Sequence, residues 1–160
     1  MTRVFIALGS NLDEPSAQIR AAFAALDTQA GCRLRRASSL YRTAPVGYLD
    51  QPDFINAVAE LDCSLTPLAL LDALLAIETR FGRHRTFRNA PRVLDLDLLW
   101  FEGVSMDDEA LTLPHPRLHL RRFVLTPLCE IAPDLTIGEL GRVDHLLARL
   151  EDQGVVRLAE

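Results

Sequence analysis

The sequence predicts an α+β fold in a single domain spanning 1–160. Three observations carry that prediction. Apolar runs of strand character alternate with segments of helical spacing in the order β-α-β-β-α-β. No linker, internal repeat or low-complexity stretch interrupts the 160 residues. Hydrophobic residues make up 49% of the chain, enough for one core without disulfide staples.

VFIALG (4–9) is a short apolar run stopped by Gly9-Ser10-Asn11, the pattern of a strand feeding a turn. Asp13, Glu14 and Pro15 then precede Ile19, Ala22, Phe23 and Leu26, whose spacing predicts a helix of roughly four turns closed by Gly31. LRRASSLYRTAP (34–45) reads as a strand and is followed by the turn-rich VGYLDQPD (46–53). FINAVAELDCS (54–64) has period two, with Ile55, Ala57, Ala59 and Leu61 on one face and Phe54, Asn56, Val58 and Glu60 on the other. Thr66-Pro67 opens a second helix that carries Leu68, Leu71, Leu74, Leu75 and Glu78 towards Gly82. After an arginine-rich loop, VLDLDLLWF (93–101) is the next strand. This order is the ferredoxin-like split pattern, which predicts an antiparallel sheet with both helices on one face and the other face open for a site. A Pro-rich segment (111–122) and additional C-terminal helices near 123–131 and 143–150 complete the chain.

Composition narrows the function classes. The net charge is −5 and aromatics are 6%, which argues against a nucleic-acid groove. Every basic side chain other than histidine is arginine, because the sequence contains no lysine. A phosphate-loop lysine, a Schiff-base lysine and the strand lysine of protein kinases are thereby excluded. Cys32, Cys63 and Cys129 lack the spacing of a zinc or redox site and read as reduced, partly buried fillers. With no apolar run of membrane-spanning or signal length, a cytoplasmic location and no membrane partner are expected.

The chemistry-bearing pattern is APRVLDLDLLW (90–100). Asp95 and Asp97 lie two apart on a strand, so both project to one face with Cα atoms roughly 6.5–7 Å apart, while Leu94, Leu96 and Leu98 project to the other. Such a pair suits divalent cations that activate phosphoryl groups, although an arbitrary D-x-D is more often a solvated strand face. The neighbouring GRHRTFRNAPR (82–92) shifts that balance: Arg83, Arg85, Arg88 and Arg92 stand there without an acid and would repel one another unless an anion neutralised them. His115 is held between Pro114 and Pro116. Phe54 and Asn56 share a strand face and offer an apolar plane beside an amide, an arrangement suited to a planar heterocycle. These residues by themselves leave open a metal-dependent nucleotidyl transferase or nuclease, or a non-catalytic ligand-binding module.

Taken together, ALGSNL (7–12), SSLYRTAPVG (38–47), DQPDFINAV (50–58), IETRFGRHR (77–85), APRVLDLDLL (90–99), LTLPHPRLHLRRFVLTPL (111–128) and EIAPDL (130–135) resemble the 6-hydroxymethyl-7,8-dihydropterin pyrophosphokinases of folate biosynthesis. The resemblance implies ATP-dependent transfer of a diphosphate group to the hydroxymethyl dihydropterin, leaving AMP. It implies that Asp95 and Asp97 hold two Mg²⁺ ions and that Arg83 and Arg92 are the catalytic arginines on the phosphates. Glu78, Arg85, Leu98, Thr112, His115 and Arg121 would bind ATP, and Thr43, Val46, Phe54, Asn56 and Phe123 the pterin. The expected partners are these two small molecules, with the chain a monomer. The loop departs from the family's Trp-Gly, reading Asn89-Ala90, while Leu75, Ala110 and Pro116 replace residues that are polar or aromatic in other members.

Overall fold

The computed structural model describes residues 1–45, 48–82 and 93–159. The expectations for Val46, Arg83, Arg85, Arg88 and Arg92 therefore lie outside the described residues.

β1 (Thr2–Ser10) enters α1 (Pro15–Thr28) through a turn in which Asp13 and Glu14 both adopt positive φ, and Pro15 starts the helix where no donor is needed. Gly31, at φ 81°, lies three residues past the end of α1, where a side chain would strike Leu65. β2 (Cys32–Ala37) and β3 (Tyr41–Thr43) both pair with β4 (Phe54–Cys63). The sequence pattern predicts one strand over 34–45, but Ser38 divides it. The Ser38 hydroxyl donates to the Ser39 carbonyl and accepts the Val58 N–H, so the ladder is interrupted before Tyr41 resumes it opposite Asn56. α2 (Pro67–Arg80) is capped by the Thr66 side chain, which accepts the Ala69 N–H, and β5 (Asp95–Phe101) follows.

β6 (Met106–Asp107) and β7 (Thr112–Leu113) form a small hairpin. α3 (Arg122–Ile131), the two-residue strands β8 (Thr136–Ile137) and β9 (Gly141–Arg142), α4 (Val143–Ala148) and the closing strand β10 (Val156–Arg157) complete the chain.

The main sheet is antiparallel in the order β10-β3-β4-β1-β5, with β2 also on β4. Period two sorts its side chains. Val4, Ile6 and Leu8 of β1 and Leu96 and Leu98 of β5 face one way, packed with Ile19, Ala22 and Leu26 of α1 and Leu70, Leu74 and Ile77 of α2. The helices α1 and α2 thus share a face, as expected. The opposite face is less open than expected: Phe5, Val58 and Leu99 lie under Val124, Leu125 and Leu128 of α3 and Val143 and Leu146 of α4. The C-terminal helices therefore cover one end of that face. The other end carries the remaining outward-facing residues of β1, β4 and β5.

Candidate active site

Register builds the site. On the uncovered end, Asn56 of β4 stands opposite Gly9 of β1, and Gly9 stands opposite Asp95 of β5. The next row is Val58, Ala7 and Asp97. The two acids thus project to the same face, and the small residues Gly9 and Ala7 leave a floor between them and β4. With antiparallel neighbours about 4.5–5.5 Å apart, Asn56 and Asp95 lie roughly 9–11 Å apart across that floor.

The β4 wall of the floor is rigid. Asn56 is buried and its Nδ2 donates to the Thr43 Oγ1 at 2.8 Å, which turns its Oδ1 towards Gly9. A Cβ added to Gly9 would meet Asn56 Oδ1 at 3.3 Å and Phe54 Cδ1 at 4.0 Å, so glycine here preserves the space over which Asn56 and Phe54 look. Thr43, Phe54 and Asn56, expected from the sequence to lie at the site, come together here; Gly9 is not among those expectations, its one signal being a glycine that ends the first apolar run. Asn11 braces the adjoining loop, donating to Gln51 Oε1 at 2.8 Å and to the Pro52 carbonyl at 3.0 Å.

Beyond the acids, a cavity of about 280 Å³ runs along the β5 edge, between α2 and the segment 108–116. Glu78, Leu98, Thr112 and His115 line it, together with both aspartates, so four of the expected nucleotide residues converge there. The acids Asp108 and Glu109 line it as well, and the rest of its wall is apolar, including Leu71, Leu75, Leu111 and Pro116. Glu78 is buried, and its Oε2 accepts the Leu96 N–H at 2.7 Å. That bond ties the open edge of β5 to α2 between the two aspartates. Leu98 belongs to the core as well as to the cavity lining.

His115 is held by its backbone rather than by the prolines alone. Its N–H donates to the Leu99 carbonyl at 2.8 Å, and its Nδ1 accepts the Arg117 N–H at 3.1 Å. With Nδ1 accepting, the neutral ring carries its proton on Nε2. Burial lowers its pKa from 6.5 to about 4, helped by the charges of Arg121 and Arg117, against the opposing pull of Asp95. His115 is thus a neutral donor at pH 7. Arg121 and Phe123 bracket the start of α3, with the Arg121 guanidinium carbon 5.6 Å from the centre of the Phe123 ring.

The donor chemistry at Asp95 and Asp97 fits magnesium. Both offer hard oxygen atoms from one strand face, and among the described residues no three or more His, Cys, Asp or Glu side chains are grouped so that they could hold a metal ion by themselves. A pair of carboxylates completed by phosphate oxygens and water suits that ion better than an all-protein cage would.

Residues 5–133 match the family described as 7,8-dihydro-6-hydroxymethylpterin-pyrophosphokinase (HPPK). The chain is 47% identical over 156 residues to the 2-amino-4-hydroxy-6-hydroxymethyldihydropteridine pyrophosphokinase of Pseudomonas aeruginosa, covering 98% of this chain and 96% of that protein. It is 41% identical to the protein of the same name from Haemophilus influenzae, covering 99% of each. In fold it resembles a crystal structure of Plasmodium falciparum HPPK-DHPS with pteroate, at a TM-score of 0.73 and 14% identity. That match covers 92% of this chain and 42% of the longer one, so this chain spans less than half of that solved chain. The register, the cavity and these likenesses agree, and the chain belongs to the 7,8-dihydro-6-hydroxymethylpterin-pyrophosphokinase family.

Proposed function

We propose that this protein transfers the terminal diphosphate of ATP to the hydroxyl of 6-hydroxymethyl-7,8-dihydropterin, releasing AMP, as a step in folate biosynthesis. The observation that carries the proposal is the row Asn56, Gly9, Asp95. An amide and a carboxylate on one floor, roughly 9–11 Å apart with no bulky side chain between them, support reading the first as the group that recognises the heterocycle and the second as the acid that activates the phosphates.

Phe54 and Phe123 enclose the pterin rings, Asn56 reads their edge, and Thr43 and Val46 offer backbone groups. The nucleotide lies along β5, with its base in the cavity beside Leu98 and Thr112 and its phosphates turned towards Asp95 and Asp97. Held there by those carboxylates, two magnesium ions would supply neutralisation of the triphosphate charge. His115 donates from Nε2, and Arg121 and Arg85 pair with phosphate oxygens. The hydroxyl oxygen attacks the β-phosphorus in line, the bond from that phosphorus to the α,β-bridging oxygen breaks, AMP leaves with the electron pair, and the hydroxyl proton passes to solvent water. Arg83 and Arg92 stabilise charge that spreads over the transferred and departing groups. Catalysis is by positioning and electrostatics, with no general base assigned.

The βαββαβ core, with β2 and β3 acting as one interrupted strand and the order β2/β3-β4-β1-β5, supports a ferredoxin-like reading of the topology. The function accords with a monomer in the cytoplasm. The test is AMP release from ATP, Mg²⁺ and the dihydropterin by the wild type and by Asp95→Ala and Asp97→Ala. The proposal expects turnover in the first and none in the variants; variants as active as the wild type would remove the acids from the mechanism.

A further inference from the structure

The first turn of α3 presents Arg121 and Phe123, yet no side chain of its own caps it: Arg121 occupies the capping position in an extended conformation, with φ −113° and ψ 107°. The cap arrives from the C-terminal segment. Gln153 Oε1 accepts the Arg122 N–H at 2.9 Å, and Gln153 Nε2 donates to the Leu120 carbonyl at 3.3 Å. One side-chain amide therefore holds the peptide groups on both sides of Arg121.

Gln153 is itself anchored. The Gly154 N–H donates to Asp152 Oδ1 at 2.8 Å, and Gly154 takes φ 73°, which closes a tight turn around Gln153. Upstream, Arg122 Nη1 donates to the Leu150 carbonyl at 3.0 Å. Downstream, Val156 and Arg157 pair with Arg42 and Tyr41 of β3, and the Leu158 N–H donates to the Leu40 carbonyl at 2.9 Å. β3 in turn ends at Thr43, the partner of Asn56. The same segment thus touches the nucleotide end of the site through Arg121 and the pterin end through β3.

We infer that Gln153 is a positioning residue for the reaction, acting through Arg121 by fixing the backbone from which that guanidinium reaches the nucleotide. Gln153 lies beyond residues 5–133, the span that matches the family. The inference rests on the nucleotide-binding role proposed for Arg121. Without Gln153, the Arg122 N–H and the Leu120 carbonyl turn to water and the residue between them samples more orientations. With its backbone loosened, the Arg121 guanidinium is less well placed, and nucleotide affinity is expected to fall about three- to tenfold.

The test titrates α,β-methylene-ATP with Mg²⁺ into wild type, Gln153→Ala, Gln153→Met and Arg121→Ala, alongside steady-state kinetics. Gln153→Met keeps the length and bulk of the side chain and loses only its hydrogen bonds, so it answers the question even if Gln153→Ala unfolds. Both Gln153 variants are expected to bind the analogue about three- to tenfold more weakly at unchanged stoichiometry, with KM for ATP raised alike and kcat within about twofold. Wild-type affinity in Gln153→Met, or a fall in kcat with KM unchanged, overturns the inference while leaving the site reading intact. Wild-type affinity in Arg121→Ala overturns the nucleotide role of Arg121 and the inference with it.

Discussion

Thr43→Val isolates the hydrogen bond that orients the Asn56 amide, the group proposed to read the pterin. Valine matches threonine in shape and keeps the β3 backbone, but it removes the oxygen that accepts from Asn56 Nδ2 at 2.8 Å. Both residues are buried, at 5% and 7% exposure, so the stranded N–H has no ready access to water. A neutral buried hydrogen bond contributes about 0.5–1.5 kcal/mol net, and an unsatisfied buried donor costs about 1–3 kcal/mol. The amide then has reason to rotate, exchanging the Oδ1 that faces Gly9 for its NH₂ group. A loss of about 1.4 kcal/mol corresponds to a tenfold change in affinity. Initial rates at saturating ATP with the dihydropterin varied should therefore show KM for the pterin raised about tenfold, while KM for ATP stays within about twofold. An unchanged pterin KM, or equal rises for both substrates, would refute the idea that Thr43 sets the amide.

Gly9→Ala places a methyl 3.3 Å from Asn56 Oδ1, so pterin binding should weaken at least severalfold with only a small loss of stability, which competition binding and thermal unfolding would separate. Glu78→Ala removes the acceptor of the Leu96 N–H and should lower stability by about 1.5–3 kcal/mol, seen as a fall of roughly 3–12 °C in Tm; an unchanged Tm would deny that the bond holds the β5 edge. Asp97→Asn should reduce turnover at least about a thousandfold while changing stability by less than about 1 kcal/mol, and comparable losses in both would make the residue structural. Because His115 is lowered from 6.5 to about 4, the unfolded chain binds its proton first as pH falls. Its contribution to stability is whole above pH 6.5 and is lost down to about pH 4, with a slope of at most about 1.36 kcal/mol per pH unit that His115→Gln should abolish in urea titrations.

Period two made the sheet legible. It sorted Leu96 and Leu98 from Asp95 and Asp97, and it sorted Ile55 and Ala57 from Phe54 and Asn56, because one buried face specifies register strongly. It did not show that Ser38 divides its strand, since that break comes from a side chain competing for a partner on β4. Nor did it show α3 and α4 closing over Phe5 and Val58, which depends on how a distant segment folds back. At the site, residue types announced the acids and the amide. The contacts of Gly9 and Gln153 come from what lies across the sheet or far along the chain, and no local pattern encodes that.

Phosphorus NMR of a reaction containing the protein, ATP, Mg²⁺ and 6-hydroxymethyl-7,8-dihydropterin follows the transferred group itself. Attack at the β-phosphorus predicts that AMP and a pair of coupled resonances from a pterin diphosphate grow together in equal amounts. ADP with a pterin monophosphate, free pyrophosphate with no phosphorylated pterin, or no reaction would contradict it.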